Sequence, residues 1–176
     1  SCCVSAAGTL PTGGGDDAIV LLGSAATVKT TIDAGAGSGN SIDLSNASSL
    51  AGLQGDVYAK ATGGATTLKL DDSARAAADA FTIYRGQVVG GPIRTFVDYG
   101  GGGAINVEVR GGTGNGSFTF VNFGGPTTAR SYNVAGGPGT DSLVINSSVV
   151  PTSVATAGVL NFGASQPIVN YSSIEQ

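Results

Sequence analysis

Glycine clusters recur along this chain at 13–15, 35–39, 63–64, 90–91, 100–103, 111–116, 124–125 and 136–139, most of them about 11 or 25 residues apart. Punctuation at that spacing marks a repeat in which each unit bends at the same place. The 30 glycines do not fall at every third position and there are only 6 prolines, so a collagen triple helix is excluded. With 41% apolar residues and a mean hydropathy of +0.21, the chain has enough apolar surface to fold, which excludes a disordered polymer.

The runs between the clusters are β-branched and aromatic. Residues 18–22 (AIVLL), 27–32 (TVKTTI), 67–70 (TLKL), 81–84 (FTIY), 105–109 (INVEV), 117–121 (SFTFV) and 142–145 (SLVI) read as strands. In Ile105-Asn106-Val107-Glu108-Val109 the apolar side chains share one face, and in Ser117-Phe118-Thr119-Phe120 both phenylalanines do, so one face is dry and the other wet. The only helical candidate, residues 73–80 (SARAAADA), has too thin an apolar stripe to anchor a helix and reads as an exposed turn or bulging loop.

Short alternating strands with glycine turns allow an antiparallel β-sandwich or a parallel β-solenoid. One turn motif decides for the solenoid. Gly-Gly-x-Gly-x-x followed by a strand appears at Gly13 to Val20, loosely at Gly35 to Ile42, and again at Gly111 to Phe118 and Gly136 to Leu143. Similar turns before similar strands are what stacked coils require. The expected organisation is one β-repeat domain over 13–176, preceded by an N-terminal segment, 1–12, that carries the adjacent pair Cys2 and Cys3.

Gly136 to Ile145 (GGPGTDSLVI) and Gly111 to Phe120 resemble the glycine-and-aspartate repeats of repeats-in-toxin proteins and of large secreted bacterial β-helix surface proteins. Ala47 to Asp72, and Pro167 to Glu175 with its Tyr-Ser-x-Ile-Glu segment, are similar to the linking strands of those proteins. The resemblance implies a β-helix, export from a bacterium, and calcium held by aspartates and carbonyls of stacked turns. Asp16, Asp17 and Asp141 are the candidate calcium ligands. Elsewhere the aspartate slot holds Asn40, Thr66 or Gly116, which are neutral, and the alternative role for the three aspartates is to cap turns.

The chain has no histidine, which removes the commonest metal ligand and the usual base of nucleophilic triads. Asp16-Asp17 and Asp71-Asp72 are adjacent pairs, and adjacent strand residues face opposite ways. A β-helix lyase or hydrolase would need Asp71, Asp72, Asp79 and Asp98 to cluster in a groove. Lys60, Lys69, Arg75, Arg85, Arg94 and Arg110 are scattered singly and read as solvated strand faces and edge protection. Gly35 to Gly39 lacks both a following helix and the Gly-Lys-Ser/Thr of a phosphate loop. No enzyme is expected and no cofactor beyond calcium.

A net charge of −4 with no basic run makes nucleic acid an improbable partner, and no apolar stretch is long enough to span a membrane as a helix. Sequons at Asn46, Asn115, Asn146 and Asn170 permit surface glycans. Only 11% of residues are charged, which suits a subunit covered by neighbours. Neither terminus reads as a polar cap. Ile168, Val169, Tyr171 and Ile174 read as a rung still able to pair. The expected function is thus a structural subunit of a bacterial extracellular filament, sheath or surface layer, polymerising with itself by strand addition, with Cys2 and Cys3 as intersubunit disulfides. The alternative is a calcium-stabilised adhesin or toxin-repeat module of a longer secreted protein.

Overall fold

The computed structural model describes residues 9–11, 13–91, 93–121, 130–146, 158–161 and 168–174. Fifteen strands follow one another there: β1 (Thr9–Pro11), β2 (Ala18–Val20), β3 (Thr30–Asp33), β4 (Asn40–Asp43), β5 (Val57–Ala61), β6 (Ala65–Asp71), β7 (Ala80–Tyr84), β8 (Gln87–Gly90), β9 (Ile93–Gly101), β10 (Ala104–Arg110), β11 (Ser117–Val121), β12 (Arg130–Ala135), β13 (Ser142–Asn146), β14 (Gly158–Asn161) and β15 (Ile168–Ser172). No helix occurs among the described residues. The fold is all-β, and the seven runs with β-branched or aromatic character all carry strands. Residues 73–79 form a loop, as their thin apolar stripe suggests.

The strands make two sheets. One has eight strands in the order β1-β3-β5-β9-β8-β7-β11-β13, and the other seven in the order β14-β15-β12-β10-β6-β4-β2. From β1 to β6 the chain alternates strictly between them, one strand in each sheet per circuit. Pairing within each sheet is mostly parallel, unlike an antiparallel sandwich. The exceptions are a meander and an end. Strand β8 runs antiparallel between β7 and β9, which widens the eight-stranded sheet, and β14 runs antiparallel to β15. Thr9–Pro11, within the segment set apart from the repeat domain by sequence, pairs in parallel with β3 and extends the stack toward the N-terminus.

Register aligns like with like. Ile19 lies opposite Ile42, Ile42 opposite Leu68, Leu68 opposite Val107, Val107 opposite Tyr132, Tyr132 opposite Val169, and Val169 opposite Leu160. All seven are buried, one from each strand of the sheet. Alternation with period two produces this column, since every second side chain of β10 points inward. A one-residue slip would turn the whole column outward, so burial fixes the register. In the other sheet Phe81 and Phe118 stack with centroids 5.7 Å apart, and Phe120 meets Tyr132 edge-on at 6.2 Å, which ties β11 to β12 across the core.

The glycine clusters stack as well, on two sides of the molecule. Those at 13–15 and 35–39 lead into β2 and β4 of the seven-stranded sheet, whereas those at 111–116 and 136–139 lead into β11 and β13 of the eight-stranded sheet. One motif therefore serves both connections. At Gly64 the backbone takes φ +59°, and a Cβ there would collide with the Gly37 carbonyl of the circuit beneath. Gly37 is pressed in the same way onto the Gly15 carbonyl.

Candidate functional sites: acid-capped turns and open sheet ends

Aspartates hold these turns together by reaching from one circuit to the next. Asp16 Oδ1 accepts the Gly39 N–H at 2.8 Å, and Asp17 donates its own N–H to Asn40 Oδ1 at 2.8 Å. Asp141 is buried and its Oδ1 accepts the Gly116 N–H at 2.6 Å. Since Ser117 pairs with Ser142, Gly116 and Asp141 occupy equivalent slots, and Asp79, which precedes Ala80 opposite Ser117, fills the slot below. All three calcium candidates stand in the loops that lead into β2 and β13. Asp16 and Asp17 lie beside β2 at one end of the stack, while Asp141 lies beside β13 at the other. Among the described residues, no group of three or more Asp, Glu, Cys or His side chains could hold a metal ion. The bonds from Gly39 and Gly116 are those of turn capping.

Two of the four carboxylates singled out for a catalytic groove, Asp72 and Asp79, do come together, but buried in the loop between β6 and β7. Asp72 Oδ1 accepts the Leu50 N–H at 2.8 Å from the preceding circuit, and Asp79 Oδ2 accepts the Gly112 N–H at 2.8 Å from the following one. Arg75 Nη1 lies 3.7 Å from Asp72 and 2.9 Å from Asp79. The loop between β6 and β7 thus clamps three successive circuits. Burial raises the Asp72 pKa above its ordinary value and the Asp79 carboxylate adds to the rise, while the Leu50 N–H and Arg75 oppose it. Both carboxylates are closed to a substrate, with side-chain exposures of 0% and 1%. Asp98 sits on β9, remote in sequence from this loop.

The lysines that look isolated in sequence are paired in space. Lys60 lies opposite Asp33 and bonds it at 3.0 Å, and Lys69 lies opposite Asp43 at 3.2 Å while also reaching Asp71 at 3.3 Å. Burial by itself would lift the Asp33 and Asp71 carboxyls, but hydrogen bonds outweigh it and hold both below the usual carboxylate value. At Asp33 these come from the Gly35 N–H, the Thr62 hydroxyl and Lys60, and at Asp71 from Ser73 and Lys69. The available sequence signal was the spacing: Asp33 to Lys60 and Asp43 to Lys69 match the separation of paired strands.

At the last-numbered strands the expected pairing needs correction. Strand β15 is flanked on both sides, by β12 in parallel and by β14 antiparallel, so its backbone edges are occupied within the chain. Val169, Tyr171 and Ile174 are buried in the core, and only Ile168 is exposed. The sequence read this segment as terminal because β14 is short and follows no repeat motif. The sheet ends belong instead to β14 and β13. On β13, Leu143 and Ile145 are only partly buried although their matched positions on β11, Phe118 and Phe120, are fully covered, and Val144 is 46% exposed. Among the described residues no strand pairs with its outer edge.

A shallow depression of about 240 Å³ lies on the outer face of the seven-stranded sheet, lined by Glu108, Arg110, Asn133, Asn170 and Ser172. Val134, Ala135 and Tyr171 line it as well, and Asn170 Nδ2 donates to Asn133 Oδ1 at 2.9 Å, so this sequon asparagine is engaged. Asn46, Asn115 and Asn146 are exposed. Cys2 and Cys3 lie outside the described residues. No described helix is long and apolar enough to cross a membrane. Set against known protein families, curated proteins and solved structures, the chain matches none of them.

Proposed function

We propose that this chain is a short run of parallel β-solenoid coils that serves as a bacterial extracellular structural subunit, without catalytic activity, and grows by strand addition to further copies of itself. The strict alternation between two sheets from β1 to β6 and the in-register parallel pairing support the solenoid. The resemblance of the glycine turns to secreted β-helix proteins supports export.

One observation carries the assembly: the half-covered rung at β13. Ser142 donates its N–H to the Gly116 carbonyl of β11's side, and parallel strands alternate their bonding direction residue by residue. The outer edge of β13 therefore presents the N–H and C=O groups of Leu143 and Ile145 beside an apolar face that another strand would bury. A contact of this kind between unlike ends does not close and propagates as a filament. Cys2 and Cys3, near β1 in sequence, would lock neighbouring copies covalently.

Sedimentation velocity over a concentration series tests the reading. The expected result is growth of mass with concentration, and cross-linked species on a non-reducing gel. A sedimentation coefficient that stays monomeric at all concentrations would overturn it.

A further inference from the structure

We propose that Asn115 is a self-modifying site, at which Asp141 of the next circuit drives closure of the Asn115-Gly116 pair to a succinimide. Asn-Gly is the dipeptide least hindered toward attack of the following backbone nitrogen on the side-chain amide, because glycine brings no Cβ to the reacting peptide. Here two groups of the next circuit contact the reacting pair. Gly116 N–H points at Asp141 Oδ1 across 2.6 Å, a short charge-assisted bond to a buried carboxylate. Thr140 N–H donates to Asn115 Oδ1 at 2.9 Å. Asn115 itself is exposed, so solvent reaches it.

Each contact corresponds to one requirement of the reaction. Asp141 accepts the Gly116 proton as the nitrogen bonds to Asn115 Cγ, acting as general base. The Thr140 N–H stabilises the negative charge that gathers on Oδ1 in the tetrahedral intermediate. The intermediate collapses by expelling the side-chain nitrogen, which takes the proton back from Asp141 and leaves as ammonia. Water then opens the ring on either side, giving aspartate or isoaspartate. Both products place a new carboxylate at position 115, beside the Asp79 and Asp141 slots, and isoaspartate adds a backbone atom to a turn stacked directly on its neighbours. The change would loosen β13, the strand that presents the open edge. A glycan on Asn115 Nδ2 would block it, since Asn115-Gly116-Ser117 is also a sequon.

The test compares the folded full-length chain with the same chain unfolded in urea, both incubated at neutral pH and followed by peptide mass mapping. Ammonia loss and its hydrolysis products should arise at Asn115 at least about tenfold faster in the folded chain, as general-base help predicts. Asp141→Asn, checked for a native circular dichroism spectrum, should bring the folded rate down to the unfolded one or below. An Asn115 that reacts no faster folded than unfolded would overturn the proposal, and this comparison needs no variant. A folded rate unchanged by Asp141→Asn would overturn it equally.

Discussion

At Asp72 the stack buries a carboxyl with another acid beside it, and its raised pKa means that ionisation weakens the fold. Stability from this group is fullest below the ordinary carboxylate value of about 3.9 and falls as pH rises toward the higher folded value. Asp72→Asn keeps an acceptor for the Leu50 N–H. It is expected to melt at or above the wild-type temperature at neutral pH, with the difference closing as the solution is acidified. Asp33 and Asp71 act in the opposite sense, since their lowered values give stability that is present above the ordinary range and lost as pH falls through the folded ones. Thermal scans by circular dichroism between acid and neutral pH separate the two contributions. Glycines differ as sharply among themselves. Gly64→Ala meets a backbone carbonyl at a left-handed φ and should cost about 1–3 kcal/mol, whereas Gly14→Ala, with nothing within 4 Å, should stay within about 0.5 kcal/mol in urea denaturation.

Among the elements, β11 is the keystone between the sheets. Phe118 is fully buried against Phe81, so Phe118→Ala should cost about 3–5 kcal/mol, read as a lower urea midpoint. That strand was plain in the sequence, because Ser117 to Phe120 alternates cleanly. Strand β5 was not: Val57–Ala61 contributes two buried alanines, whose small side chains give weak β signal. Strand β4 is four residues long with Ile42 as its single apolar residue, and β8 exists only as the return of a meander. The turn aspartates were legible by motif, whereas the ion pairs to Lys60 and Lys69 required a register that glycine spacing alone does not supply. The end strands are where a test of assembly belongs. Val144→Lys places a charge on the exposed face of β13 and should leave the melting temperature within a few degrees while abolishing concentration-dependent growth.

For the whole molecule, stacking explains cohesion, and the proposed assembly would continue the same stack. Successive strands are tied by backbone pairing, a core column and acid-capped turns, and among the described residues no strand covers the outer edge of β13. Since Asp16 and Asp141 each give one carboxylate oxygen to a turn N–H, and no cluster of metal-ligating side chains occurs among the described residues, a chelator is expected to leave the melting temperature unchanged, and a drop of several degrees would mean that calcium binds after all. Diffraction from aligned, concentrated material tests the central claim most directly. Copies joined strand to strand should form filaments with a strong reflection near 4.7–4.9 Å along the fibre axis, the spacing of paired strands. Solitary particles with no such axial repeat would contradict it.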